Sequence, residues 1–554
     1  MNLTYKRPNI YKNIKNYEKL LNIFRNSNSL DEQLAIIKKI NKIRDDFFSM
    51  YWLSYINYLL DVSNKYWHEE ETFFSKWHPI MENWKLKYYD ALQKSKFKNE
   101  LELKIGKKVF LIAELELKML NENIIEDLSK DEVLKNKYSK LKTTIKVKFS
   151  NEEYSLSKFE NFLLFNNRSE RINAYNVLSK EMKKHEKNFD DLLDEFITIR
   201  NKIANKLGYD SYSDVSYIQM RRIGYDRKDI EAFRENIKKY IVPIVIELKK
   251  KQEKELEIDK LMYYDNSIFF KDNVPKPKGD TIWIIEQAIK MYDSISPKLS
   301  KLFRKMWNNG LMDLDARDNK SGGGIATYIP KYEVPIFVSN FNGSASNITT
   351  LVHEFGHSFQ LYSSKNLKYY ENWWPTFDCC EIHSKSMEFL TLKYSNMFFL
   401  EDSKKFEYEF LVKNLESLCY MAIVDEFQHI IYDNKDFSVG DRKQTWLSLE
   451  KMYTPWINYG EDKYYNDGNS FQSKSHIFIN PFYYIDYALA TFVAFQFYAL
   501  SLKNEKETWE KYINFCELGG TYSFNESIER IDMLSPFSES SFKEIVDTIY
   551  EKIK

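Results

Sequence analysis

His353-Glu354-Phe355-Gly356-His357 is the stretch from which the rest of this chain is read. Two histidines four residues apart lie one turn from each other on the same face of an α-helix, so both imidazoles reach one ion. The glutamate beside them projects to the flank of that pair. It is poorly placed to ligate and well placed to take a proton from metal-bound water. The chain has only 8 histidines in 554 residues, so an accidental match to this spacing is rare. The bland alternative is a helix carrying two structural histidines.

A metal held in this way needs a third protein ligand, with one coordination position left open. Downstream, Asp378-Cys-Cys-Glu-Ile-His-Ser-Lys-Ser-Met-Glu388 offers Glu381 and His383. On a helix these two point about 160° apart, so one of them faces elsewhere. Glu381 has a second reading, as the partner of Asp378 in a capping box. Glu388, two turns beyond Glu381 on roughly the same face, is placed either to orient a ligand histidine or to face solvent. The next cluster is His476-Ile-Phe-Ile-Asn-Pro-Phe-Tyr-Tyr-Ile-Asp-Tyr487. Pro481 suits the first turn of a helix. Tyr484 and Tyr487 then share a face at a spacing of three, and Tyr483 and Tyr487 share one at a spacing of four. A phenol is a good donor to an oxyanion. In a chain with 40 tyrosines, core packing is the default for each.

Composition narrows the class. The chain is 43% hydrophobic and 29% charged, which is globular rather than disordered. It is too long for one compact core. Formal net charge is zero, so neither nucleic acid nor an anionic membrane is an expected partner. Residues 1–20 carry no continuous apolar run of the secretory kind. Tyr487 to Leu502 is the most apolar stretch, and Asp486 and Gln496 make it a buried core helix rather than a span. Four cysteines, two of them adjacent, do not form a disulfide framework, which points to reduced thiols and a cytoplasmic location.

The pattern along the chain is mostly helical. Leu34, Ile37, Ile40 and Ile43 make one apolar stripe within a helical region from Tyr17 to about Leu120. Thr143 to Leu156, short and alternating, predicts a hairpin or an irregular connection. Arg168 to Leu207, Asp229 to Glu257 and Trp283 to Leu311 read as helix, and Asn266 to Asp280 as loop. Gly322-Gly323-Gly324 breaks any helix. Two strand-like runs follow, Ile325 to Ile329 and Val334 to Phe341, leading directly to the HExxH helix, which Ser346 or Asn347 can cap.

Taken in order, His353-Glu-Phe-Gly-His357, Glu381-x-x-Ser384, His476 and Phe482-Tyr-Tyr-Ile-Asp-Tyr487 resemble the thimet oligopeptidase/oligoendopeptidase F family of zinc peptidases (M3). Gly322 to Pro330, Pro335 to Gly343 and Asp425-Glu-Phe-Gln-His429 look most like its bacterial oligoendopeptidase F and PZ-peptidase branch. The likeness runs from about Arg168 to Phe537. It implies a mostly α fold: a zincin-like helical catalytic core with a small β-sheet, in a two-lobed ellipsoid enclosing a deep channel that excludes folded proteins. Residues 1–160 then form an N-terminal helical region contributing to one lobe, and 161–554 the catalytic region.

By the same resemblance one zinc per chain is held by His353, His357 and Glu381. Glu354 is the general base, and His476, Tyr484 and Tyr487 stabilise the oxyanion. Tyr483 is an alternative among the tyrosines and, with Gly323, Phe337 and Ser339, a substrate contact. Val334 to Phe341 becomes the edge strand that an extended substrate joins. The expected activity is endopeptidase cleavage of short peptides, with a monomer the favoured form. The rivals are a helical zinc carboxypeptidase and a non-catalytic peptide-binding protein on the same scaffold.

Overall fold

The computed structural model describes residues 3–119, 121–272 and 274–554. Helices dominate, and they begin where local chemistry favours them. Ser29 caps Leu30–Leu60 by accepting from the Glu32 amide, with Asp31 and Glu32 in the first turn to meet the helix dipole. Asn167 accepts from the Ser169 and Glu170 amides at the start of the 39-residue helix Arg168–Lys206. Of the stripe Leu34, Ile37, Ile40 and Ile43, Ile37 and Ile40 are buried, with Ile36 beside them, while Leu34 and Ile43 are only half-buried. The stretch read as one helix from Trp283 is two, Thr281–Ile295 and Pro297–Asn308. Ser296 caps the second, and Pro297 takes the first-turn position where its missing N–H costs nothing.

Five strands form two sheets among the described residues. β1 (Lys146–Phe149) and β2 (Glu152–Ser155) are an antiparallel hairpin. Its turn places Ser150 and Asn151 at φ 51° and 68°, the left-handed pair that a two-residue connection requires. The second sheet contains β3 (Met312–Asp315), β4 (Ile325–Ile329) and β5 (Val334–Phe341) in the order β3-β5-β4. β5 runs antiparallel to β4, with Ile325 opposite Val338 and Ile329 opposite Val334. It runs parallel to β3, with Met312 opposite Phe337.

The expectation that Val334–Phe341 is an edge strand is therefore corrected: it is the centre of the sheet. Phe337 is wholly buried in it and Ser339 nearly so, because a strand covered on both edges and both faces has no exposed side. The strand that displaces it from the edge, β3, is four residues long and parallel, too short to register as a period in sequence.

The chain divides into two compact units, each built from three segments. One comprises Met1–Leu120, Pro275–Phe406 and Phe492–Leu534. It holds the three-stranded sheet, with the helix Ser346–Ser364 packed on β4 and β5, and Phe377–Thr391 packed on that helix in turn. Within its core Arg44 pairs with Glu371, both side chains at least nine-tenths buried. The guanidinium lies over the Tyr370 ring at 4.4 Å and the Tyr88 ring at 5.7 Å.

The other unit comprises Asn121–Val274, Glu407–Thr491 and Ser535–Lys554. Arg168–Lys206 runs along it, flanked by Ile125–Thr144 and the hairpin. Val147, Phe159 and Ala174 form a small core beneath the hairpin.

Tyr484–Lys503 is long and apolar enough to cross a membrane, yet 78% of its most apolar window is buried inside the fold. Asp486 and Gln496 are buried with it, the first at 0% exposure, which only specific polar partners permit.

The Arg44–Glu371 pair sets a stability test. Glu371→Ala leaves a buried cation without its carboxylate, a loss of about 3–5 kcal/mol. The first unfolding transition in urea should move to lower denaturant accordingly.

Candidate active site

The site begins with a glycine. Gly356 sits inside the HExxH helix where a Cβ would come within 2.8 Å of the His383 carbonyl oxygen and 2.8 Å of the Ser384 Cα. Both atoms are backbone of Phe377–Thr391, so the two helices meet at a distance only glycine allows. That approach brings Glu381 to the histidines. Its Oε2 lies 3.6 Å from His353 Nε2 and 3.6 Å from His357 Nε2. The three donor atoms lie within 4.8 Å of one another, and they form the one such cluster among the described residues.

The remaining polar atoms explain why these three converge. His353 Nδ1 donates to Glu388 Oε1 at 2.6 Å, and Lys385 holds Glu388 at 3.0 Å. Burial, which would raise the Glu388 carboxyl, is outweighed by Lys385 and His353, and its pKa is lowered. His357 Nδ1 points at the Cys380 sulfur, 3.7 Å away. Both rings thus turn Nε2 toward a common point. Ser384 Oγ donates to Glu381 Oε2 at 3.0 Å. Burial works against the Glu381 anion, but His357, His353 and Ser384 prevail and bring the carboxyl down to about 2.

Two imidazole nitrogens and one carboxylate oxygen, with a spacing near the roughly 3.3 Å expected between tetrahedral zinc ligands, fit that ion. Glu354 is half-buried beside them. A Cβ on Gly324 would lie 3.3 Å from Glu354 Oε1, so this glycine keeps room beside the carboxylate. Gly323, at φ 95°, gives its carbonyl to Asn340 Nδ2 at 2.8 Å.

Several local readings resolve. The Asp378/Glu381 capping box does not form: Thr376 is the N-cap, and Asp378 accepts from the adjacent Cys379 amide. Neither Ser346 nor Asn347 caps the HExxH helix. Ala345 occupies that place, and Asn347 Oδ1 accepts from the Asn342 amide at 3.3 Å. His383 points away from the cluster and stacks on Phe515 at 4.4 Å, its pKa lowered to about 3 by burial and then by His357. All four cysteines are free thiols, and burial pushes Cys379 well above its ordinary value. The sequence pattern alone assigns no role to Ser384, Lys385 or Gly356. The signal available for the first two was their spacing of three from Glu381 and Glu388.

His476, Tyr483, Tyr484 and Tyr487 lie in the second unit and gather there. The His476 ring stacks on Tyr484 at 4.4 Å, and Tyr483 meets Tyr487 edge-on at 5.1 Å. Burial, then Lys474 and Lys142, lower His476 to about 4, so the ring is neutral at pH 7. Burial raises Tyr484 to about 12. The helix does not begin at Pro481. It begins at Tyr484, because Phe482 takes φ 66° and breaks the turn.

Residues 162–546 match the model described as peptidase family M3, and residues 1–120 match the peptidase M3 N-terminal domain. The chain belongs to peptidase family M3. It is similar to PZ peptidase A, solved with an inhibitor, at 37% identity and TM-score 0.92, covering 100% of this chain and 98% of that one. It is also similar to oligopeptidase PepF of Bacillus subtilis (strain 168), 22% identical over 68% of this chain and 56% of the relative. An oligoendopeptidase F homolog of Mycoplasma genitalium is 29% identical over 27% of this chain and 24% of its own length. The chain thus spans about half the length of the first of these curated relatives and a quarter of the second.

Two outcomes follow from the geometry. Gly356→Ala forces backbone apart in a packed contact, a cost of about 1–3 kcal/mol. It should lower the melting temperature and the bound-metal content together, and an unchanged melting temperature would count against the close approach. The second outcome is proton linkage. Burial favours the neutral His357 ring, but Cys380 and Glu381 raise it well above its ordinary value, so the ion-free ring holds a proton. A cation must replace that proton. Affinity should therefore weaken as pH falls through that raised value, a window that opens above the ordinary imidazole value of about 6.5, read by competition with a chromophoric chelator.

Proposed function

We propose that this chain is a zinc-dependent oligoendopeptidase that hydrolyses internal bonds of short peptides. The observation that carries the reading is the convergence of His353, His357 and Glu381 beside Glu354, in a chain of family M3. Zinc held by those three residues supplies Lewis acidity toward the scissile carbonyl and the attacking water.

Glu354 accepts the proton of the attacking water and returns it to the leaving amine. Its half-buried carboxylate, with the space that Gly324 leaves beside it, suits that exchange. An extended peptide would add to β4 rather than β5. β4 pairs on one side only among the described residues, and its glycine lead-in reaches Glu354. His476, Tyr484 and Tyr487 are assigned to hydrogen-bond donation toward the developing oxyanion. A neutral imidazole and a phenol kept protonated by burial are in the right state for that task. Tyr483 is assigned to substrate contact. The preference for short peptides rests on the family likeness, which implies a channel too narrow for folded proteins.

The test is digestion of a mixed set of short peptides read by mass spectrometry, with and without a chelator and beside a folded-protein control. Internal cuts confined to the short peptides and abolished by chelation are expected. One-residue shortening would point to an exopeptidase, and bound zinc without cleavage to a peptide-binding protein. Glu354→Gln should keep its zinc and lose turnover roughly 10²- to 10⁴-fold. Glu381→Ala should lose the zinc itself, measured by elemental analysis. A fully active Glu354→Gln enzyme would sink the assigned base.

A further inference from the structure

Phe482 is a buried aromatic residue at φ 66°, a left-handed backbone conformation rarely adopted by bulky side chains. Both its backbone polar groups are taken by side chains from distant parts of the same unit. Its amide donates to Gln428 Oε1 at 2.9 Å, and its carbonyl accepts from Arg222 Nη2 at 2.6 Å. The same Arg222 nitrogen donates to Asp486 Oδ1 at 2.9 Å, in an ion pair with both side chains at 1% exposure or less. The Phe482 ring lies between His429, edge-on at 4.9 Å, and Tyr432 at 5.7 Å. Gln428 and His429 belong to the Asp425-Glu-Phe-Gln-His429 motif, which the proposed chemistry does not otherwise use.

The other limb of the loop is held in the same manner. Arg200, wholly buried, donates to the Phe478 carbonyl through Nη2 and to the Ile477 carbonyl, more weakly, through Nη1. Asp131 and the Tyr432 hydroxyl fix the guanidinium from behind. His476 and Tyr484 stand at the two ends of this gripped segment and stack on each other. The chain turns at Phe482, and Tyr484 comes back over His476. The arrangement is not one that stability alone favours. The backbone is strained, and Arg222 Nε and Nη1 are buried without a hydrogen-bond partner. Strain held by surrounding structure in this way gathers at functional sites.

We propose that Gln428, Arg222 and Arg200 are positioning residues that hold Phe482 in its left-handed turn and so set the aim of Tyr484 and His476. The inference rests on the assignment of those two as oxyanion donors.

The experiment places 3-fluorotyrosine at position 484 of the full zinc-loaded chain and compares Gln428→Met with Gln428→Glu. Both variants lose the bond from Gln428 Nε2 to the Val424 carbonyl; methionine also removes the acceptor, whereas glutamate keeps an acceptor oxygen for the Phe482 amide. Gln428→Met should shift or broaden the fluorine resonance and lower kcat on a fluorogenic peptide roughly 10- to 100-fold. KM should stay within about threefold, with zinc content unchanged. Gln428→Glu should keep the native resonance and most of kcat. An unchanged resonance in Gln428→Met overturns the proposal, whether kcat holds or falls together with the melting temperature. If Gln428→Met does not fold, Arg222→Lys, which keeps the charge facing Asp486 and loses the reach to the Phe482 carbonyl, takes its place under the same readouts. If the wild-type chain cleaves no peptide, the peptidase reading fails separately, while the resonance still decides whether the loop is held.

Discussion

The absent side chain at Gly356 is the constraint on which the metal cluster depends. Two helices cross where the backbone of Ser346–Ser364 meets the backbone of His383 and Ser384. The third ligand, Glu381, is carried by the second helix, so its distance to both imidazoles is fixed by how closely the helices approach. A methyl group at this point would act on the ligand sphere as directly as a ligand mutation. The HExxH pattern usually directs attention to its histidines and glutamate. Here one of its two variable positions carries the packing that makes the other three useful.

Around that contact the electrostatics are arranged in layers. Glu381 stays ionised against burial because two imidazoles and the Ser384 hydroxyl face it. Behind the imidazoles the partners differ: a carboxylate, itself paired with Lys385, stands behind His353, and a thiol stands behind His357. The two ligand rings are therefore oriented by chemically different partners. In the second unit the logic is reversed. Burial keeps His476 neutral and Tyr484 protonated, leaving hydrogen-bond donors rather than charges.

Much of this was legible in sequence where the governing spacing is local. The HExxH pair follows from helical spacing; the same spacing left Glu388 either to orient a ligand histidine, as it does, or to face solvent, and the alternation from Thr143 left a hairpin and an irregular connection both open. What escaped depends on partners far along the chain. β3 is four residues with a parallel neighbour, so Val334–Phe341 was read as an edge when it is a centre. Pro481 looked like a helix start, but Phe482 adopts a conformation that no preference of phenylalanine predicts. Gln428 and Arg222 impose it from 54 and 260 residues away. The role of Gly356 escaped because a glycine inside a helix announces a close approach without saying to what.

The segmental build of the two units bears on how the chain is made. The unit containing Gly356 needs Met1–Leu120, Pro275–Phe406 and Phe492–Leu534, and the other is completed by Ser535–Lys554. Synthesis proceeds at about 5–20 residues per second, so roughly 20 to 75 seconds separate the emergence of Leu120 from that of Phe492. Through that interval the early helices have one another but not the partners made later. Phe47 already has the Phe48 and Phe74 rings beside it, whereas the face of Leu30–Leu60 that packs on β4 waits for a strand not yet made. Neither unit can close until nearly all of these residues have been translated.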